Sequence, residues 1–154
     1  MKKLNASAIV SCLGCVASIV ALILYSSNVS GEGFYKGMTV PNMYLLLIGA
    51  AVCFALVFAV NFFLEKSNKV VQVVSGLLQI AGPVLLAVAL MQLVAGRVDG
   101  LGYIYFSNAE VAAEVQTPEN LGSAQTAIAS LVSVGVAAVA GCVGAFFSAG
   151  KKEA

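Results

Sequence analysis

"VVQVVSGLLQIAGPVLLAVALMQLVA" runs from Val70 to Ala95 without a single Asp, Glu, Lys or Arg. A helix needs roughly 20 apolar residues to cross a hydrocarbon core of about 30 Å, and this stretch exceeds that length. Three further blocks share the property: Ala6 to Tyr25, Met43 to Leu64 and Ser123 to Ser148. Together they account for a chain that is 60% hydrophobic and only 10% charged, where a soluble domain carries about 25% charged residues. A helical bundle in water would need polar outer faces, and these blocks lack them. The expected fold class is therefore an all-α integral membrane protein. It is a four-transmembrane-helix bundle with a small extracytoplasmic cap, one domain over residues 1–154. The spans expected are 6–26, 43–64, 70–95 and 118–149, joined by outer loops 27–42 and 96–117.

Lysine and arginine set the expected orientation. Lys2, Lys3, Lys66, Lys69, Lys151 and Lys152 flank one end of the four blocks, and only Lys36 and Arg97 fall in the other two loops. The positive-inside rule then places both termini in the cytoplasm, in a plasma (inner) membrane. Glu32, Asp99, Glu110, Glu114 and Glu119 make the outer side acidic, an asymmetry hidden in the overall charge of +1. The simple Gly/Ala/Val composition fits a bacterial inner-membrane protein. The "MKK" start followed by an apolar run has the outline of a signal peptide. Cleavage before Cys12 would leave too short an apolar core, so an uncleaved first helix is expected.

Cys12, Cys15, Cys53 and Cys142 all fall within the apolar blocks. Cys12 and Cys15 spell C-x-x-C, but thiol exchange needs a reachable thiolate and a second cysteine pair. Buried small residues are the expected reading of all four.

Two helix faces carry the remaining signal. On the third block, Gln72, Ser75, Gln79 and Pro83 share one side. Pro83 removes a helix hydrogen bond and predicts a kink. The face reads as an interhelical hydrogen-bond seam, or alternatively as the lining of a permeation path. Ion pathways carry intramembrane charges, which favours the seam. On the first block Ser7, Ser11, Gly14, Ser18 and Ala21 recur at helical steps. On the fourth, Thr126, Ala129, Ser130, Ser133, Ala137, Ala140, Gly141 and Gly144 form a small-residue stripe. Such stripes allow close helix approach. Ser133, Ala137, Gly141 and Gly144 are thus the candidate packing face, towards the bundle centre or towards a second membrane protein. The phenylalanines of the second block, Phe54 among them, predict lipid or partner contact.

The segment from Gly100 to Gly122 reads as the outer cap. Its glycines predict the end of the third helix. Tyr103, Tyr105 and Phe106 suit an aromatic belt, with a short strand against Gly33–Met38 as a further option. Ser107 and Glu110 have the spacing of a capping box for a short helix, which would turn Glu110 and Glu114 to water. Thr117-Pro118-Glu119 reads as the start of the last helix. These five cap residues, Tyr103, Tyr105, Phe106, Glu110 and Glu114, are the candidate outer contacts.

Function is bounded mainly by exclusion. Without histidine, histidine-based acid–base chemistry is ruled out. Two helical glutamates supply too few ligands for calcium. There is no phosphate loop, no dinucleotide fingerprint and no basic patch for nucleic acid. The expectation is a non-catalytic accessory or interaction subunit with no catalytic, metal or cofactor site. Its partners would be the lipid bilayer and a second copy or another membrane protein. The alternative is an oligomeric small transporter or channel subunit lined by the polar face of the third helix.

Overall fold

The computed structural model describes residues 6–63 and 69–149. The lysine pairs at both termini, Lys66 and residues 64–68 of the link between the second and third blocks lie outside that range. Five helices follow in order: α1 Ala6–Ser30, α2 Met43–Phe63, α3 Lys69–Phe106, α4 Ala109–Val115 and α5 Pro118–Ala149. No strand occurs among the described residues. Four of the helices are long and apolar enough to cross a membrane.

The four long helices form a closed square in which α1 packs on α2 and α5, and α3 packs on α2 and α5. Their inner faces follow from residue size. On α1, Ser7, Ser11, Gly14, Ser18 and Ala21 are all buried, as their spacing predicts, and the face continues through Tyr25 and Asn28. Asn28-Val29-Ser30 spells an N-glycosylation triplet, and its asparagine is buried in this fold. The outer faces stay apolar on every long helix, with Leu13, Leu45, Val73, Met91 and Val139 each more than half exposed.

The centre is organised by one aromatic ring. Phe54 of α2 is 3% exposed, which corrects the expectation that it faces lipid or a partner. It reaches glycines on all three other helices. A Cβ built on Gly14 of α1 would lie 3.1 Å from the ring, one on Gly82 of α3 3.0 Å, and one on Gly141 of α5 2.7 Å. The three glycines are notches, and the ring fills them. Because α2 and α5 stand diagonally, Phe54 spans the whole cross-section.

Two expectations about the loops fail for one reason. α3 does not end at Ala95, nor do Gly96, Gly100 and Gly102 break it; it continues through Phe106. At 1.5 Å per residue its 38 residues reach roughly 57 Å. The buried face steps through Leu93, Arg97, Gly100 and Ile104 in unbroken helical register. Gly96 and Gly100 are there to be packed against: a Cβ on Gly96 would meet Val40, and one on Gly100 would meet Phe34 and Tyr35. With the chain helical to Phe106, no strand forms there. α1 likewise runs to Ser30, so the first connection covers 31–42 rather than 27–42.

Candidate functional site

At the end of the bundle where α1 leads into α2, residues 31–42 fold back over α3. Gly33 adopts φ 108°, a conformation that costs glycine little. A side chain there would run into the Glu119 carbonyl and Ser123 Cβ. The resulting close approach lets the Tyr35 N–H donate to Ser123 Oγ at 3.1 Å, while Asn28 Nδ2 donates to the Ser123 carbonyl at 2.8 Å.

The turn delivers Tyr35 to Arg97, the residue that sequence reasoning assigned to an exposed loop. Arg97 is 1% exposed and is the largest fully buried side chain. Its guanidinium lies 4.5 Å from the Tyr35 ring centre and 5.9 Å from that of Tyr25, within reach of cation–π attraction. Nη2 donates to the Met38 carbonyl at 2.8 Å and Nη1 reaches the Gly96 carbonyl at 3.4 Å. The two tyrosines complete the clamp. Tyr35 Oη donates to the Arg97 carbonyl at 2.7 Å, and the Val40 N–H donates to Tyr25 Oη at 2.7 Å. Burial pushes the Tyr35 phenol above its ordinary value against the opposing pull of Arg97, so it stays protonated and able to donate. No carboxylate pairs with Arg97 among the described residues, where the ion pair Lys36–Glu32 is separate and exposed. The signal available in sequence was register: Arg97 sits four residues after Leu93 on the buried face of α3.

The polar face proposed on α3 divides. Ser75, Gln79 and Pro83 are buried, whereas Gln72 is exposed. Gln79 Nε2 donates to the Gly144 carbonyl of α5 at 3.1 Å and reaches Ser7 Oγ of α1 at 3.4 Å. Asn61 Nδ2 of α2 reaches the same hydroxyl at 3.2 Å. One residue from each long helix thus meets in a polar knot near the start of α1. Pro83 lies inside a helix that stays continuous, and it packs towards Gly141.

The small-residue stripe of α5 divides as well. Ser130, Ala137, Gly141 and Gly144 turn inward, and a Cβ on Gly144 would lie 2.6 Å from Val10 Cγ1 of α1. Ala129 and Ser133 instead line an outward groove of ≈ 560 Å³ with Ala17 and Val20 of α1 and Val132 and Val136 of α5. The cysteines correct a further expectation: Cys12 and Cys142 are exposed on the apolar outer surface, Cys15 and Cys53 are half-buried, and all four are free thiols.

The cap is helical. Tyr103, Tyr105 and Phe106 project from the last turns of α3 and are exposed, with the Tyr103 ring tilted 42° to that of Phe34 at 6.0 Å between centres. Glu110 and Glu114 are exposed on α4. Val115 is buried against Tyr35, Ile104, Ala124 and Ala127, with Val111 packed alongside. The α4 N-cap is Asn108, whose side chain accepts from the Val111 N–H, not Ser107 as the capping-box spacing predicted. Continuation of α3 to Phe106 moves the turn one residue on. Thr117 does cap α5, its Oγ1 accepting from the Asn120 N–H at 3.3 Å.

Comparison with protein-family models, curated proteins and solved structures finds no match to this chain. Among the described residues no three His, Cys, Asp or Glu side chains come together to hold a metal ion.

Proposed function

We propose that the chain is a non-catalytic multi-pass protein of the plasma membrane, the inner membrane of a bacterium. Both ends face the cytoplasm and residues 31–42 with α4 form the cap outside. It acts as an interaction subunit through its helix faces and that cap. The observation that carries this reading is the filled centre. Phe54 occupies the cross-section between Gly14, Gly82 and Gly141, and the polar side chain of Gln79 is spent on Gly144 and Ser7. Apolar surface on all four long helices supports insertion. The groove lined by Ala17, Ala129 and Ser133 is the place where a partner helix would pack, since small residues bring backbones close.

The transport alternative needs a polar route that Gln79 helps to line. Purified protein in liposomes tests it directly. The interaction reading expects no solute flux above empty vesicles, with wild type and Gln79→Leu alike. It also expects a membrane protein that co-purifies with wild type and is lost with Ala129→Phe. A flux that Gln79→Leu abolishes would overturn it. Topology has its own check: a C-terminal reporter active only outside the cell would refute the orientation.

A further inference from the structure

Arg97 carries a charge that no carboxylate among the described residues balances. Its partners are two carbonyls and two aromatic rings, and an arginine cannot shed its proton to escape burial. Asp99, two residues along α3, is exposed on another side of the helix. Two buried polar atoms, one of them Arg97's own, are also unanswered. Arg97 Nε is a buried donor without an acceptor, and Gln92 Oε1 is a buried acceptor without a donor. Both residues line one cleft of ≈ 500 Å³, together with Thr39, Val40, Pro41 and Ala95.

We infer that this cleft holds the phosphodiester of an anionic phospholipid, its charge against Arg97 and its headgroup hydroxyl donating to Gln92 Oε1. An anionic oxygen is the acceptor that a guanidinium recognises best. The assignment to a lipid, rather than to a free anion, rests on where the cleft leads. Val40, Pro41 and Ala95 give it apolar walls. From Ala95 the exposed residues Met91, Val88 and Val84 descend α3 at helical steps, an apolar track for an acyl chain. The cleft lies near the end of the bundle, the depth of phosphate headgroups if the helices cross a membrane. The inference rests on that part of the proposed function.

The test is lipid retention by the full chain, purified in detergent and read by native mass spectrometry. Phosphatidylglycerol and phosphatidylcholine are added in turn. Wild type should retain the anionic lipid about tenfold more tightly. Ala95→Phe, which fills the cleft and leaves the arginine in the chain, and Gln92→Leu should each erase that preference while helix content stays unchanged. Arg97→Gln should do the same; if it fails to fold, the other two variants carry the test. Millimolar inorganic phosphate should not displace the lipid. Equal retention of the two lipids, or full preference in Ala95→Phe, overturns the site. Displacement by inorganic phosphate overturns the lipid assignment in favour of a free-anion site. Alkaline extraction of membranes reports insertion separately. A chain that resists extraction yet does not discriminate between lipids refutes only the cleft, and a chain that washes off refutes the membrane reading itself.

Discussion

Replacing Gly82 by alanine should have opposite signs in two backgrounds. In the wild-type bundle the new Cβ would stand 3.0 Å from Phe54 Cζ and 3.2 Å from both Cε atoms, too near for ordinary packing. Forcing a methyl group into a filled site costs about 1–3 kcal/mol. Against this, alanine gains about 1 kcal/mol over glycine in helix propensity. The net effect of Gly82→Ala is destabilisation of about 0–2 kcal/mol. Phe54→Ala alone removes roughly 100 Å³ of side chain, and at about 24 cal/mol per Å³ of cavity this costs about 2.4 kcal/mol. The cavity part alone is counted, because an unfolded helix in micelles still has apolar surroundings. With the ring gone, the three atoms nearest the new methyl group are gone too. Gly82→Ala on top of Phe54→Ala should therefore stabilise by about 1 kcal/mol. The coupling between the two positions amounts to about 1–3 kcal/mol. Denaturation of the four proteins in mild micelles, followed by helical circular dichroism, measures every corner of the cycle. Effects additive within about 0.5 kcal/mol would refute the idea that the ring is seated in glycine notches.

Other outcomes follow from single contacts. Gln79→Leu should cost only about 0.6 kcal/mol in the same unfolding assay, the typical worth of an interhelical hydrogen bond in such surroundings. Asn108→Ala should cost about 1 kcal/mol and speed amide exchange across α4. Ser107→Ala should stay within about 0.5 kcal/mol of wild type, because its buried hydroxyl has no partner to lose. Gly33→Ala should cost more than about 1 kcal/mol, through positive φ and collision with the start of α5, and should expose residues 31–42 to protease. Tyr35→Phe removes the hydrogen bond to the Arg97 carbonyl and should cost about 1 kcal/mol, again read as faster cleavage of that connection.

Much of the architecture was legible because apolar block length is a one-dimensional property. The four long helices can be read off wherever charges are missing, and the inner face of α1 follows from Ser7, Ser11, Gly14, Ser18 and Ala21. Residues whose role depends on a neighbour from elsewhere in the chain were not legible. Gly96 and Gly100 have the composition of a helix stop, and only the arrival of Val40, Phe34 and Tyr35 shows them to be contact points. Arg97 has the residue type of a solvated loop, and its burial depends on a tyrosine 62 positions earlier. Phe54 looked like any other large side chain on a bulky helix. Its role is fixed by three glycines on three separate helices. The Ser107 spacing was sound as a local rule, but the end of the preceding helix displaced it by one residue.

The seating of Phe54 also limits how this molecule can move. A ring lodged against α1, α3 and α5 at once acts as a pin through the bundle. α2 cannot slide along its axis or rotate about it without first withdrawing that ring from three places. Displacements that carry one helix past another by a turn, about 5.4 Å, would have to break all three contacts together. The square of helices should therefore respond to load as a single rigid body, with its compliance confined to the connections at its ends.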